Sequence, residues 1–486
     1  MGGPPVHDSE GNAPGNGRTI AVPPRWYDRI PMFEQSGRSA FLLSRPGWAI
    51  VLATAVLLVI GLGSIFVTDT HYVAGHDGPR NAVKQVFAIL VGGTVGLVLL
   101  AVGYPMMGRW AYALFAACVL ILAVPVAAKF GQTTLGGLVT PRNGAYRWIS
   151  LPGFQLQPSE PMKLAYVLAL AWYLRHRSSY RRFSGLWIPV VFSAVPAALI
   201  LLQPDLGMVL LLLPVLFSLL FMAGAKLSHL GIIALLGLAA APLAWDRIHG
   251  YQRLRVTAVF LQSDSLREAV IRNPEAYKKF ATRRQALEWS AGSGYQLVHA
   301  NNAIGSGGLL GNGWGRGVYV ENGLLPDRHN DFVIAVVAHQ WGFAGCLLVL
   351  TCYGVIVVAG TVIASATAEP FGRLLAVGVV TLIASQVTIN VGMALGMMPI
   401  TGMTLPFVSY GGSSVLTNLT ALAILVSVAQ HRPYLLSGKP FEFAPKRERG
   451  MLVEKGHSGS GSRSPRAEPD RNRSRPVGHR SPTEGP

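Results

Sequence analysis

Long apolar runs recur along the chain, and short polar stretches separate them. Runs such as 48–67, 86–103 and 206–223 carry almost no charge. About 20 apolar residues suffice for a helix to cross a hydrocarbon core of roughly 30 Å. The pattern predicts about ten such helices, over roughly 47–67, 84–103, 110–129, 160–174, 186–202, 206–223, 227–244, 332–361, 372–396 and 413–430. The fourth is short and carries charge at one end. In lipid the backbone must satisfy its own polar groups. The expected fold class is therefore all-α, a polytopic membrane protein with about ten transmembrane helices.

Residues 1–45 are polar and rich in Gly and Pro, and the chain end is rich in Ser, Arg, Pro and Gly. Neither composition buries a core. The expected organisation is a disordered cytoplasmic extension over 1–45, a membrane domain over 46–431 with a large loop at 245–331, and a disordered basic tail over 432–486. No signal peptide precedes the first apolar run, which is long enough to remain as a span. Orientation follows from the short loops. Arg109, Arg175, Arg177, Arg181, Arg182, Lys226, Arg373 and the basic residues after position 431 fall on one side of a ten-span chain. That side is cytoplasmic, and so are both termini. The long loops 130–159, 245–331 and 397–412 then face outward. Loop 245–331 carries Arg253, Arg255, Lys278, Lys279, Arg283 and Arg284. Long loops are exempt from the charge rule.

Composition supports a lipid solvent. The 486 residues are 51% hydrophobic and 13% charged, where soluble domains carry about a quarter charged residues. A net charge of +18 would suggest nucleic acid in a soluble protein. Here it lies mostly in tails and loops, so it reads as topology plus attraction to anionic lipid. No nucleic-acid partner is expected. Cys118, Cys346 and Cys352 sit inside apolar segments without metal-ligand spacing. They read as small buried hydrophobes.

Ionisable groups near a membrane core are costly and mark function. Five places carry them or break the helical pattern before the last span. Gly144–Ile149 reads GAYRWI, and Gln157–Lys163 reads QPSEPMK, with Arg147 in the first. Ser159 and Pro161 suit a helix start, and Glu160 and Lys163 share a face three residues apart. They form either an ion pair that fixes the helix start or part of a site. Asp205, in QPDLG, sits in a short turn where a helix cap is the plainer reading. The run Gly305–Trp314 (GSGGLLGNGW) lacks the Gly-Lys-Ser/Thr of a Walker loop. It is either a close-packed irregular segment or a set of backbone N–H groups aimed at an anion such as pyrophosphate. Leu325–Phe332 (LPDRHNDF) gathers Asp327, Arg328, His329 and Asp331 at the outer mouth of a span. Asp331 is either an N-cap or a partly desolvated general base, and the density of polar groups favours chemistry. Finally, Pro399–Ser414 (PITGMTLPFVSYGGSS) interrupts the last two spans with backbone that no regular helix accommodates. Such backbone is tolerated where it is buried in protein or lines a cavity.

These blocks, in this order, resemble the SEDS family of peptidoglycan polymerases, which contains RodA and FtsW. The likeness spans roughly 47–431, and the wording GSGGLLGNGW, DRHNDF and GMMPITGMTLPF is closer to the RodA branch. The resemblance implies a bacterial cytoplasmic-membrane glycosyltransferase for cell elongation or division. It would polymerise lipid II into β-1,4 glycan and release undecaprenyl pyrophosphate. The resemblance places the essential aspartate at Asp331 as the base. It places substrate-binding positions at Arg147, Glu160, Lys163, Asp205, Arg328, Ser409 and Gly411. It names no certain cofactor, leaves a divalent cation open, and implies a class B penicillin-binding protein, a transpeptidase, as partner. The chain departs from the pattern in three places. Asn330 replaces a Thr, His339-Gln340 replaces an acidic pair, and 258–294 is longer, read as a tolerated surface insertion rather than a partner-binding helix. Rival readings are a flippase for the same lipid-linked precursor and an inactive scaffold for the transpeptidase.

Overall fold

Apolar runs of this length resolve their backbone in the expected way, as helix after helix. The computed structural model describes residues 44–72, 80–142, 145–152, 154–176, 182–245, 250–325 and 330–431, all within the unit Met1–Pro440. The expected tail, and all but the last two residues of the expected N-terminal extension, lie outside the described residues. So does Arg328.

The first seven helices are α1 (Arg45–Tyr72), α2 (Arg80–Val102), α3 (Tyr104–Phe130), α4 (Ser159–Leu174), α5 (Trp187–Leu202), α6 (Leu206–Met222) and α7 (Leu227–Trp245). The large loop holds α8 (Gly250–Phe260), α9 (Asp264–Arg272), α10 (Pro274–Tyr277), α11 (Arg283–Leu287), α12 (Tyr295–Ser306) and α13 (Val318–Glu321). The chain ends its described part with α14 (Val333–Ala366), α15 (Pro370–Ala394) and α16 (Gly412–Gln430). Among the described residues, seven helical segments are long and apolar enough to cross a membrane: α1, α2, α3, Phe183–Leu202 around α5, α14, α15 and α16. Three shorter helices, α4, α6 and α7, complete the predicted set of ten.

The short α4 has a physical reason. Fourteen of its 16 residues are buried, among α3, α5, α6, α15 and α16. A helix wrapped in protein need not present an unbroken apolar surface to lipid. It can carry Glu160 and Lys163 in its first turns. The lipid-facing shell is different: Leu90 and Leu97 of α2, Leu120 of α3 and Trp187 of α5 are exposed. Small residues let the shell close on the interior. A Cβ at Gly92 would lie 3.2 Å from the Leu416 backbone, and one at Gly96 would lie 3.2 Å from the Ala423 methyl. The pair is a small-xxx-small contact of α2 on α16.

One expectation is refined. The loop after α3 contains a three-stranded antiparallel sheet, β1 (Val139–Arg142), β2 (Ala145–Leu151) and β3 (Phe154–Leu156), in the order β1-β2-β3. Val139 pairs with Ile149 and Leu151 with Phe154. The register shifts between Thr140 and Pro141, where proline has no N–H to give the ladder. The long loop 245–331 has its own small core of Leu261, Val270, Ala281, Ala286, Trp289 and Leu297. Trp289 Nε1 donates to Ala258 O at 2.8 Å and ties that core to α8.

Candidate functional site

Asp331 lies at the mouth of α14. The cap position of that helix falls one residue later, on Phe332, and no side chain caps it there. The aspartate therefore stands one residue before the N-cap position. It is nearly buried, at 9% exposure. Both carbonyls beside it are held. Ser409 Oγ donates to Asn330 O at 2.5 Å, and Asn390 Nδ2 donates to Asp331 O at 2.9 Å. The same Nδ2 donates to Met403 O at 2.6 Å, while Leu405 N donates to Ser409 Oγ at 2.8 Å. Buried backbone polar groups need such partners. Here the partners also fix the peptide that carries the carboxylate.

Gly402 shows what the carboxylate faces. A methyl group there would lie 3.6 Å from Asp331 Oδ2 and 2.9 Å from Arg255 Nη1. Its φ of 75° is one that side chains avoid. A carboxylate from the α14 mouth and a guanidinium from α8 thus converge over bare backbone.

The segment 399–411 organises this convergence. Gln85 of α2 donates through Nε2 to Ser409 O at 3.1 Å and accepts through Oε1 from Gly411 N at 3.2 Å. Tyr353 of α14 donates its hydroxyl to Pro406 O. The hydroxyls of Thr404 and Ser414 pair at 2.7 Å. On α1, a Cβ at Gly61 would come within 2.6 Å of the Val408 backbone. Irregular backbone at membrane depth survives when protein surrounds it, and four spans supply that surround. Ser409 and Gly411 are therefore part of the frame of the site.

The other expected residues form two further groups. Arg147, on β2, donates through Nε to Gln203 O at 2.8 Å and through Nη2 to Pro204 O. Asp205 caps α6, accepting from Met208 N at 3.4 Å, and also accepts from Gln157 Nε2 at 3.1 Å. Arginine and aspartate together knit the sheet to the α5–α6 turn. Next to them, a Cβ at Gly207 would lie 2.8 Å from Thr401, and one at Gly412 would lie 2.8 Å from Phe154. This second group therefore abuts the 399–411 segment. Glu160 and Lys163 pair at 2.5 Å with exposures of 2% and 1%, facing the bundle interior. Glu160 also sits where the α4 dipole favours an anion. Removing one partner of such a pair strands the other charge, at a cost of about 3–5 kcal/mol.

The glycine-rich run packs against a break in α14. Helix α14 is broken at Gly342, with φ 64° and ψ −159°. The break leaves carbonyls and amides without helical partners, and the run supplies them. Asn312 N donates to His339 O and Gly313 N to Gln340 O, each at 3.0 Å. In return Phe343 N donates to Gly308 O at 2.9 Å and Ala344 N to Leu309 O at 3.0 Å. A Cβ at Gly311 would lie 2.2 Å from Gln340 O, so glycine is required by the close approach. Of the two readings left open, the close-packed segment is the one observed. His339 sits in this joint, with Nδ1 2.8 Å from Ser306 Oγ and 3.1 Å from Asn312 Nδ2.

Two contributors to the Asp331 site were not named from the sequence, Gln85 and Asn390, and a third, Arg255, was named only among the cations of the outer loop. The first two are amides in largely apolar helices, a signal that a polar partner is near but not which one. Arg255 is one of many basic residues in a long loop. Among the described residues, no three His, Cys, Asp or Glu side chains lie close enough together to hold a metal ion.

Comparison with known proteins gives a consistent picture. The family described as cell cycle protein, FtsW/RodA/SpoVE, matches residues 48–434. A protein of Trichlorobacter lovleyi named "Probable peptidoglycan glycosyltransferase FtsW" is 31% identical over 81% of this chain and 95% of its own length. "Peptidoglycan glycosyltransferase MrdB" of Escherichia coli K12 is 31% identical over 72% of this chain and 86% of its own. The two branches thus match at the same level. A solved chain reported under "Structural coordination of polymerization and crosslinking by a peptidoglycan synthase complex" superposes with a TM-score of 0.60. It is 27% identical, over 80% of this chain and 98% of that one.

Proposed function

This chain belongs to the FtsW/RodA/SpoVE family of cell cycle proteins, and we propose on that premise that it is a multi-pass bacterial membrane peptidoglycan glycosyltransferase that polymerises lipid II. The observation that carries the reading is the Asp331 carboxylate, fixed through both adjacent carbonyls and set beside Arg255. In this reading Asp331 takes the proton from the 4-hydroxyl of the acceptor sugar as that oxygen attacks the anomeric carbon of the donor. The anomeric carbon–phosphate oxygen bond breaks, and undecaprenyl pyrophosphate leaves as a stabilised anion. A β-1,4 bond forms, and no acid is needed for the leaving group. A guanidinium at the site stabilises the charge that develops on the departing phosphate.

Arg255 is the cation the geometry supplies for that purpose. Lys163 is engaged with Glu160, and Arg147 grips the α5–α6 turn. We assign Arg147, Glu160, Lys163, Asp205, Ser409 and Gly411 to holding the walls against which the substrate lies. Arg328, three residues before the base, remains a second cation in the proposal. The partner is a class B penicillin-binding protein, a reading supported by the likeness to a chain of a peptidoglycan synthase complex. A flippase needs a charged path through the midplane. Asp331, Arg255, Arg147 and Asp205 instead gather at one end of the bundle, which favours polymerisation.

The test is reconstitution with the cognate transpeptidase and purified lipid II. The parent protein is expected to make glycan strands, and Asp331→Asn to lose about 10²–10⁴-fold in rate, the usual share of general base catalysis. Equal product from both would remove the assignment. Lipid transport without polymer would establish the flippase, and no product from either the scaffold.

A further inference from the structure

The segment 258–294, which lengthens the outer loop, does more than cover surface. A cavity of about 730 Å³ opens between it and the 399–411 segment, within the range of about 300–1,000 Å³ typical of ligand sites. Arg255 and Ile400 line it. Thr282, Gln285 and Glu288 of the inserted segment also line it, and so does Tyr295. Arg255 belongs to two places at once: it lines this cavity, and its Nη1 reaches Gly402 beside Asp331 Oδ2. The cavity is therefore next door to the reacting carboxylate.

We propose that this cavity is a saccharide subsite whose outer wall is built by the inserted segment, and that it holds a sugar of the glycan on the Asp331 side of the new bond. The proposal rests on the polymerase reading above. The lining has the chemistry of sugar recognition, with planar amide, carboxylate and guanidinium groups for hydroxyls and an aromatic ring for the apolar face of a pyranose. The charge of Arg284, which also lines the cavity, is matched by Glu288 at 3.1 Å.

The wall is also built to stay in place. Thr282 and Gln285 form a reciprocal capping box on α11, with Gln285 N donating to Thr282 Oγ1 at 3.3 Å and Thr282 N donating to Gln285 Oε1 at 2.9 Å. Behind α11, Ala286 and Trp289 sit in the segment's own core. The Tyr295 ring rests 4.2 Å from His299, centroid to centroid. A saccharide site gains affinity when its walls need no ordering on binding.

The test separates binding from turnover. Full-length protein carrying Asp331→Asn, which holds ligand without consuming it, is titrated with a soluble, peptide-free GlcNAc–MurNAc tetrasaccharide. Added Glu288→Ala or Tyr295→Ala is expected to weaken binding about tenfold, the worth of one good contact. Arg272→Ala lies on the same segment but outside the cavity and is 80% exposed; it is expected to change nothing. Unchanged binding in both cavity variants overturns the subsite. So does equal weakening by Arg272→Ala, which would report the fold of the segment alone. Inorganic pyrophosphate displacing the sugar, with its own binding lost in the same variants, overturns the saccharide assignment in favour of an anion site. Failure of the polymerase reading is seen separately, in the lipid II assay of the parent protein.

Discussion

Asn390 is a small residue with a large geometric responsibility. Its amide bonds two carbonyls from different segments, Asp331 O and Met403 O, at 2.9 and 2.6 Å. Truncation to alanine would release the Asp331 peptide without touching any substrate group. Misplacement of a reacting group by about 1 Å costs about 10²-fold. Asn390→Ala is therefore expected to lower kcat about 10–10²-fold with KM nearly unchanged, read by steady-state polymerisation of lipid II. A rise in KM with kcat unchanged would instead place the residue in ligand contact. At this scale the sequence is legible where the partner is local. Asp205 reads as a cap and is one, and Glu160 and Lys163 share a helix face and do pair. It is opaque where the partner is remote. Gln85 meets Ser409 and Gly411 across more than 300 positions, and nothing in the residues around Gln85 encodes that distance.

Among the elements, α14 and the run 305–317 depend on each other most. The break at Gly342 is tolerable because four backbone hydrogen bonds cross to the run. A Cβ at Gly342 would lie 2.4 Å from Gly311 N and 2.5 Å from the Leu309 carbonyl carbon, and the backbone there has φ 64°. Gly342→Ala is expected to lose about 1–3 kcal/mol from strain alone, and more from the clash. The measurement is the thermal unfolding midpoint in detergent, with a Gly354→Ala change as comparison; a Cβ there meets nothing within 4 Å. Equal midpoints would mean the joint is more plastic than its geometry. The helices themselves were readable, because each spans a continuous apolar run. The break was not, because a single glycine inside an apolar stretch looks the same whether it packs or interrupts. The sheet of β1–β3 was missed for a related reason: its strands are short and lie in a loop whose hydropathy carries no alternation long enough to stand out.

Across the whole molecule, the hydropathy pattern sets where the helices fall. All ten predicted spans appear as helices, seven of them meeting the length and composition of a membrane crossing. The interior of α4, α15 and α16 was less legible, since protein-facing and lipid-facing leucines are alike in sequence. Sidedness can be checked directly. With Cys118, Cys346 and Cys352 replaced by alanine, a cysteine at Thr134, exposed before β1, should react with a membrane-impermeant thiol reagent in intact cells. One at Ser228, exposed in the first turn of α7 at the other end of the bundle, should react only after permeabilisation. The reverse pattern would invert the topology and place Asp331 on the wrong side for lipid II. The fixed peptide at Asp331 has one more consequence. In the proposed mechanism the base is carried on a peptide held at both flanks, so it does not travel with its product. After every addition the strand itself must travel, threading past a stationary anvil so that the next hydroxyl arrives at the same coordinates.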